Sequence, residues 1–238
     1  MQELLIITPV KDSIDHTIRT MEAVVQSELT VPHRYVVFND NSTPENTARL
    51  HAEGQRLGVE VVDLADLTEH PSPNYLFVLR RCRKEALAAN AGLLIVESDV
   101  TVQRDTLQKL YEGAKTRTDC GIAAAVTVDE EGKINYPYLY ARGNEGKDYD
   151  CKKHCSFCCS LLTPALLKAC DFDRLDDSKN WFDVTISHDS LAAGLHNYLF
   201  CSLPVLHRPH GSRPWKQLKY TNPIKYYWTK WTKGFDKI

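Results

Sequence analysis

Short apolar runs and longer amphipathic stretches alternate along the first 130 residues. Four apolar runs predict strands, at 3–10, 33–40, 59–64 and 93–97. Three stretches between them have helical spacing, over 12–27, 42–58 and 74–92. Ser42 or Thr43, Pro44 and Gly58 are typical cap, start and end residues for the second helix, and Gly92 for the third. Strands that alternate with helices pair in parallel through right-handed crossovers, so the pattern predicts an α/β fold.

The order is looser beyond residue 130. Strands are predicted at 121–129, at 155–163 and in the apolar run before His207. Two further segments predict helices, 163–170 and 182–195, and the polar, Gly-rich stretch 129–150 predicts a loop. Because the chain has no internal repeat and no low-complexity linker, we expect a single domain over 1–238.

Composition narrows the class of protein. The 238 residues are 43% hydrophobic and 25% charged, which is typical of a globular protein. No apolar run approaches the ~18 residues of a membrane-spanning helix, and Glu3 and Lys11 flank too short an apolar stretch for a signal peptide. We therefore expect a cytoplasmic protein whose eight cysteines are reduced thiols rather than a disulfide framework.

The charge is unevenly distributed. Residues 208–238 hold eight Lys and Arg against one Asp, a net charge of +7, so the rest of the chain carries −9. The same tail holds seven aromatic residues, among them three of the four Trp. Such asymmetry indicates an anionic partner, which is a phosphate group, a nucleic acid or a membrane surface.

Acidic residues follow three of the predicted strands. Asp12, Asp40 and the pair Glu97 and Asp99 come where ligands bind in open α/β sheets, beyond the carboxyl ends of the strands. Two carboxylates one residue apart at a strand end leave on the same side, so both can face one Mg²⁺ or Mn²⁺. The alternative is that Asp99 caps the next helix and Glu97 is solvated.

Three segments carry a resemblance to a known family. The sequences "ITPVKDS", "FNDNSTPEN" and "IVESDVTV" resemble, in order and spacing, the nucleotide-sugar half of GT-A fold glycosyltransferases, particularly glycosyltransferase family 2. The resemblance implies a GT-A type, Rossmann-like α/β fold with a mixed, mainly parallel sheet flanked by helices. It also implies a nucleotide-sugar-binding half over 1–102, an acceptor and catalytic half over 103–207, and a basic aromatic tail over 208–238.

The resemblance assigns roles to residues of the first half. Asp40 matches the acid that contacts the nucleotide base, while Glu97 and Asp99 match the pair that binds a divalent metal, Mn²⁺ or Mg²⁺. Thr8 and Pro9 lie in the first matched segment and are assigned to donor binding. Asn90 matches the second residue of an Arg-Asn dipeptide whose Arg faces the donor. Ala89 replaces that Arg; Arg80, Arg81 and Arg83 are substitutes, or else charges on a solvated helix face.

The second half would supply the catalytic base. The segment "NWFDVTISHDSLAAGL" resembles the one in which a Glu-Asp pair opens a helix, so Asp189 matches the base and His188 stands in place of Glu. A helix start would favour the charged form of Asp189. The alternatives are that Asp189 is only a helix cap and that Asp183 is the base.

The segment "HRPHGSRPW" contributes candidates for the diphosphate end of the site. His207 follows an apolar run and would complete the metal ligands, with His210 as the alternative. Arg213 and Lys216 would bind the diphosphate and stabilise the leaving group.

A cysteine cluster suggests other chemistry. The spacing of Cys151, Cys155 and Cys158 resembles the cluster-binding motif of radical S-adenosylmethionine enzymes, but only 80 residues follow it. With His154 the three cysteines would suit Zn²⁺. Since two of them lie in a strand-like run, buried core cysteines are the favoured interpretation.

The sequence therefore predicts a metal-dependent glycosyltransferase. It would move a sugar from a nucleoside-diphosphate sugar to an acceptor hydroxyl with inversion, the acceptor being a glycan, a lipid-linked saccharide, a protein or a modified nucleic acid. The alternatives are a sugar nucleotidyltransferase and a non-catalytic nucleic-acid-binding module that uses the tail. The tail is also predicted to contact an anionic surface such as the inner face of a membrane.

Overall fold

The computed structural model describes residues 1–178, 181–209, 218 and 222–232. In these residues nine strands form one sheet. The strands are β1 Leu4–Val10, β2 His33–Asn39, β3 Glu60–Asp63, β4 Gly92–Val96, β5 Val100–Thr101, β6 Cys120–Val128, β7 Tyr149–Asp150, β8 Cys159–Leu162 and β9 His196–His207. The helices are α1 Ile14–Val25, α2 Pro44–Leu57, α3 Tyr75–Ala88, α4 Thr106–Lys115, α5 Pro164–Ala169, α6 Phe182–Ala192 and α7 Pro223–Thr232.

The sheet combines a parallel block with a mixed block. Its strand order is β3-β2-β1-β4-β8-β6-β9-β5, and β7 pairs with β9. The first four strands are parallel, β8 is antiparallel to both of its neighbours, and β6 and β9 are parallel. β4, β6 and β9 consequently point the same way, so their carboxyl ends share one edge with those of β1 and β2. The predicted α/β fold with a mixed sheet is confirmed.

Helices cover both faces of the sheet because its central strands are apolar on both sides. In β1, Leu5 and Ile7 pack into the core on the side of α3, α5 and α6, and Leu4 and Ile6 pack on the side of α1 and α4. All of β4 is buried. A strand covered on both faces reads as a continuous apolar run, which is why "GLLIV" shows no alternation.

The predicted limits of α2 are confirmed, and the predicted end of α3 is wrong. Thr43 caps α2 by accepting the backbone N–H of Asn46 at 3.3 Å, and Gly58 ends it with φ of 67°, as predicted. α3 ends at Ala88, earlier than the predicted Gly92, because Asn90 takes the left-handed conformation with φ of 50°. Gly92 instead begins β4, where a Cβ would lie 2.4 Å from Met1 Sδ.

Five elements were not predicted correctly. The predicted strand over 155–163 contains only the four residues of β8, and β7 lies in the predicted loop 129–150. No element was expected where β5, α4 and α7 lie. Among the helices in the described part of the chain, none combines the length and apolar character required to cross a membrane.

Candidate active site

The site begins at the turn that follows β4. The backbone N–H of Glu97 donates to Cys158 O at 2.9 Å, which extends the pairing with the segment before β8 by one residue. The N–H of Val100 then donates back to Glu97 O at 3.1 Å and closes a tight turn. This turn holds the partly buried Glu97 and the buried Asp99 at the carboxyl edge of the sheet.

Pairing of β5 with β9 brings His207 to this turn. Val100 is opposite His207 in the ladder, and the Nε2 atom of His207 lies 3.5 Å from Oδ2 of Asp99. The Nδ1 atom lies 2.7 Å from Tyr136 O. Because a carbonyl can only accept, Nδ1 carries the proton and Nε2 faces the carboxylates. The structure therefore brings Asp99 and His207 together. That both bind one metal ion with Glu97 stays a prediction.

Cys158 lies between these three groups. Its thiol donates to Glu97 Oε2 at 3.3 Å and lies 4.0 Å from His207 Nε2. Burial, with the charges of Glu97 and Asp99, raises the pKa of this thiol well above its usual value, so Cys158 stays a neutral donor. Sequence reasoning did not place Cys158 here, because its neighbours in the chain are other cysteines.

Burial and neighbouring negative charges disfavour the ionised form of Glu97 at this site. Burial, followed by the charge of Asp99, raises the pKa of Glu97 to about 7, and the charge of Asp183 adds to this while His207 opposes it. Burial lowers the pKa of His207, but the hydrogen bond and charge of Asp99 outweigh burial and raise it overall. Such a cluster of acids is stabilised by a cation.

The donor set fits a divalent cation. Two carboxylates and a neutral imidazole nitrogen are common ligands of Mn²⁺, and two ligands of one ion, each about 2.1 Å from it, lie about 3 to 4 Å apart. The separation of Asp99 Oδ2 and His207 Nε2, 3.5 Å, falls in that interval. Over residues 1–178, 181–209, 218 and 222–232, no group of three or more His, Cys, Asp or Glu is already positioned to hold a metal ion. Glu97 would therefore have to turn towards the ion.

Asp40 lies on the same edge, two strands away. It follows β2, which is separated from β4 by β1, so about 10 Å separates the two strand ends. Its carboxylate accepts hydrogen bonds, each 2.8 Å long, from Ser72 Oγ and from the backbone and side-chain N–H groups of Asn74. A carboxylate accepts about four such bonds, so Asp40 keeps room for one more donor.

Two other predicted donor-binding residues lie within β1. The hydroxyl of Thr8 is fully buried and lies 2.9 Å from Tyr35 OH, so it does not reach the edge. A donor contact through the Thr8 hydroxyl is therefore not supported. Pro9 is partly exposed near the end of the strand. Oδ1 of Asp12 accepts the backbone N–H of Thr43 at 2.6 Å and ties the end of β1 to the start of α2.

α6 places Asp183, not Asp189, near the carboxylates. The helix begins at Phe182, so Asp183 is in its first turn, and its charge contributes to the raised pKa of Glu97. Asp189 and His188 are exposed six and five residues later. Six residues advance about 9 Å along a helix and about 240° around it. The prediction that Asp189 opens this helix is wrong, and the structure brings the fallback residue Asp183 to the site.

Tyr75 adds a buried hydroxyl that the sequence did not reveal. Its ring stacks on Phe182, with centroids 6.3 Å apart, next to Asp183. Burial, with the charges of Glu97 and Asp183, raises its pKa well above the usual value. Within the described residues, the Tyr75 hydroxyl has no hydrogen-bond partner. A buried hydroxyl without a partner is costly and suggests that a ligand group completes it.

Donor contacts from the end of α3 are not supported. Asn90 precedes β4, so it lies at the opposite edge of the sheet from Glu97, about 16 Å away along the strand, and its Oδ1 accepts from Lys168 Nζ at 3.4 Å. Its predicted role is corrected. Arg80 and Arg83 donate to the carbonyl groups of Leu175 and Leu167, at 2.7 and 2.9 Å, and tie α3 to the segment around α5.

The cysteine cluster does not form a metal site. Cys151 and Cys155 hydrogen-bond to each other, an interaction that lowers the pKa of Cys151 to about 6, whereas Cys158 turns to Glu97. The ring of His154 lies edge-on to Tyr140. The three cysteines are buried, as the favoured interpretation expected, and nothing in the described residues supports the Zn²⁺ alternative. All eight cysteines lie in the described part of the chain as free, buried thiols.

The remaining candidates are His210, Arg213 and Lys216. All three lie outside the described residues. Their predicted contacts with a metal ion and a diphosphate stay predictions.

Comparison with known proteins identifies the fold. No family model and no curated protein matches the sequence. Among solved structures, the chain is similar to the mannosyltransferase PcManGT from Pyrobaculum calidifontis in complex with GDP-Man and Mn²⁺, with a TM-score of 0.65 and 12% identity, over 96% of this chain and 64% of that one. This is the GT-A type of glycosyltransferase fold.

Two further structures have the same GT-A fold. TarS 1-349 from S. aureus in complex with UDP-GlcNAc has a TM-score of 0.62 at 14% identity, over 87% of this chain and 59% of that chain. A mycobacterial protein has a TM-score of 0.59 at 16% identity, over 99% of this chain and 76% of that chain. The chain spans about 60% of the length of the mannosyltransferase and of TarS 1-349.

Proposed function

We propose that this protein is a metal-dependent glycosyltransferase that uses a nucleoside-diphosphate sugar. The observation that carries the proposal is the meeting of Glu97, Asp99 and His207 at the carboxyl edge of β4, in a fold shared with glycosyltransferases that bind GDP-Man and UDP-GlcNAc. Membership of glycosyltransferase family 2, the division into two halves and a cytoplasmic location stay predictions.

Glu97, Asp99 and His207 would hold the divalent ion, Mn²⁺ or Mg²⁺. When bound, the ion supplies Lewis-acid stabilisation of the departing diphosphate. His207 is suited to this role because Tyr136 O fixes its tautomer and the orientation of its ring. Cys158, as a neutral thiol, would donate to the oxygen of Glu97 that does not bind the ion.

Asp40 would border the pocket for the nucleotide base. The two strand spacings between it and Glu97 leave about 10 Å, which suits a nucleoside lying between a base contact and a diphosphate. Ser72 and Asn74 hold the carboxylate in place, and its free acceptor position would receive an N–H group of the base. Pro9, at the end of the intervening strand, would contact the donor by packing.

Asp183 would serve as the catalytic base in place of Asp189. It lies in the first turn of α6, at the same edge as the metal-binding acids, and is partly buried. A carboxylate there would accept the proton of an acceptor hydroxyl as its oxygen attacks the anomeric carbon. Attack from the face opposite the diphosphate breaks the sugar–phosphate bond with inversion, and the electron pair leaves with the nucleoside diphosphate.

A screen of nucleotide sugars tests this function. Thermal shift with and without Mn²⁺ identifies the donor, and release of nucleoside diphosphate in the presence of glycans, lipid-linked saccharides, proteins or modified nucleic acids identifies the acceptor. A sugar nucleotidyltransferase would instead release pyrophosphate from a nucleoside triphosphate. A nucleic-acid-binding module would shift nucleic acid in gels and leave every nucleotide sugar intact.

A further inference from the structure

Helix α7 turns an apolar face to solvent. Four large side chains are 60% to 85% exposed there, namely Ile224, Tyr227, Trp228 and Trp231. Their spacing of i, i+3, i+4 and i+7 places all of them on one side of the helix. The other exposed large hydrophobic residues of the described chain, Val25, Leu67, Tyr136 and Leu139, are scattered over different elements.

The opposite side of α7 carries its buried side chain, Tyr226. Tyr226 is only 7% exposed and lies about 150° or more around the helix from the centre of the aromatic face. The start of the helix is capped, since Asn222 Oδ1 accepts the backbone N–H of Lys225 at 3.0 Å. The aromatic face is therefore on the side of the helix that lies opposite its buried residue, Tyr226.

Positive charge flanks the aromatic face. Lys225 and Lys230 lie about 110° on either side of its centre, and the helix contains no acidic residue. The tail from 208 onward carries +7 against a body of −9. An anionic partner is attracted to this segment and repelled by the rest of the molecule, which orients the protein.

We propose that this face of α7 binds the surface of an anionic phospholipid membrane. Trp and Tyr are enriched where a membrane meets water, since their rings have an apolar body and a polar edge. Lysines beside such a face contact anionic headgroups while the aromatic rings enter the boundary below them. A second copy of the chain is a poorer occupant, because two positively charged tails would face each other. This inference stands independently of the proposed function.

Vesicle binding by the full chain tests the proposal. Cosedimentation is measured with vesicles of phosphatidylcholine alone and of phosphatidylcholine with phosphatidylglycerol in equal parts. The chain is expected to bind the anionic vesicles, more weakly as salt is raised. The double variant Trp228→Ser, Trp231→Ser should lose about tenfold or more in binding. The control Leu67→Ser, Leu139→Ser, which removes two exposed apolar side chains elsewhere, should bind like the wild type.

A second measurement keeps the test valid if the double variant folds poorly. Phosphatidylcholine brominated on its acyl chains quenches Trp that enters the membrane boundary, so the wild type should be quenched on anionic vesicles. The milder variant Trp228→Phe, Trp231→Phe should lose most of the quenched emission. The proposal is overturned if the wild type does not bind or is not quenched. It is also overturned if both Ser variants bind alike, or if the face instead mediates self-association that the Trp variant abolishes.

Discussion

The imidazole Nε2 of His207 lies 3.5 Å from the carboxylate Oδ2 of Asp99, although 108 residues separate them in the chain. The pairing of Val100 with His207 between β5 and β9 creates this contact. The contact between these two candidate ligands therefore depends on the pairing of a two-residue strand with the end of a twelve-residue strand.

Replacing His207 by Ala should weaken Mn²⁺ binding by about tenfold or more, because it removes one ligand. Isothermal titration with Mn²⁺ measures the effect. His196→Ala is the matched control: it removes a partly exposed histidine at the other end of β9, and should leave Mn²⁺ affinity unchanged. Equal affinities for the two variants would exclude His207 as a ligand.

The raised pKa of Glu97, about 7, predicts a pH dependence of cation binding. A proton competes with the ion below this value, so Mn²⁺ affinity should fall as pH falls from about 8 to about 6, by up to about tenfold per unit below the pKa. Glu97→Gln should bind Mn²⁺ weakly and with a flatter profile. An unchanged affinity across this interval in the wild type would contradict the assignment.

Without a metal ion, the raised pKa of Glu97 predicts that the free energy of unfolding falls, and does not rise, as pH increases. Glu97 binds its proton more tightly when folded, with a pKa of about 7, than when unfolded, with a pKa of about 4.3. The folded state thus binds more protons in that interval, and the free energy of unfolding should decrease as pH rises through it. Urea denaturation of the metal-free wild type and of Glu97→Gln should show a larger decrease in the wild type, because the raised pKa of His207 contributes to both proteins.

Asp183→Asn should reduce sugar transfer by about 10² to 10⁴, since it removes the proposed base from the first turn of α6. Donor affinity should remain within about twofold, because the base does not hold the nucleotide. Asp189→Asn, the control on the same helix, should transfer sugar at close to the wild-type rate because Asp189 is exposed in the last turn. If Asp189→Asn abolishes transfer and Asp183→Asn does not, the original assignment of the base is restored.

Tyr75→Phe should leave the free energy of unfolding unchanged or raise it by ~1 kcal/mol, because the buried hydroxyl has no partner in the described chain. The same change should lower kcat/KM for transfer about fivefold or more if the hydroxyl binds substrate. Tyr138→Phe is a matched control, since its hydroxyl donates to Ser156 O at 3.1 Å; it should cost ~1 kcal/mol of stability. Full activity in Tyr75→Phe would exclude the hydroxyl from the reaction.

The sequence predicted the first half of the fold well because its signals are local. The limits of α2 follow from Thr43, Pro44 and Gly58, whose capping and backbone preferences act within one turn. The apolar run of β4 likewise predicts a strand without further information. The pair of acids after β4 was therefore found at the edge where the site lies.

The rest of the site depends on contacts that local patterns do not encode. Asp189 was preferred over Asp183 because the base was assigned from the resemblance of the "SHDS" motif and not from the predicted start of the helix at 182. The structure places Asp183 in the first turn of α6 and Asp189 in the last. Asn90 was assigned from motif spacing, but parallel strand order places it at the far edge. Cys158 and Tyr75 join the site only through the pairing of β4 with β8 and the stacking on Phe182.

The most direct test of metal-dependent transfer compares the wild type with Asp99→Asn, using the nucleotide sugar that the thermal-shift screen selects. Release of nucleoside diphosphate is measured with Mn²⁺ and with a chelator. The wild type should turn over only with Mn²⁺, and Asp99→Asn should lose about a hundredfold or more at an unchanged melting temperature. Turnover by the wild type in chelator, or full turnover by Asp99→Asn, would contradict a metal-dependent glycosyltransferase built on this carboxylate.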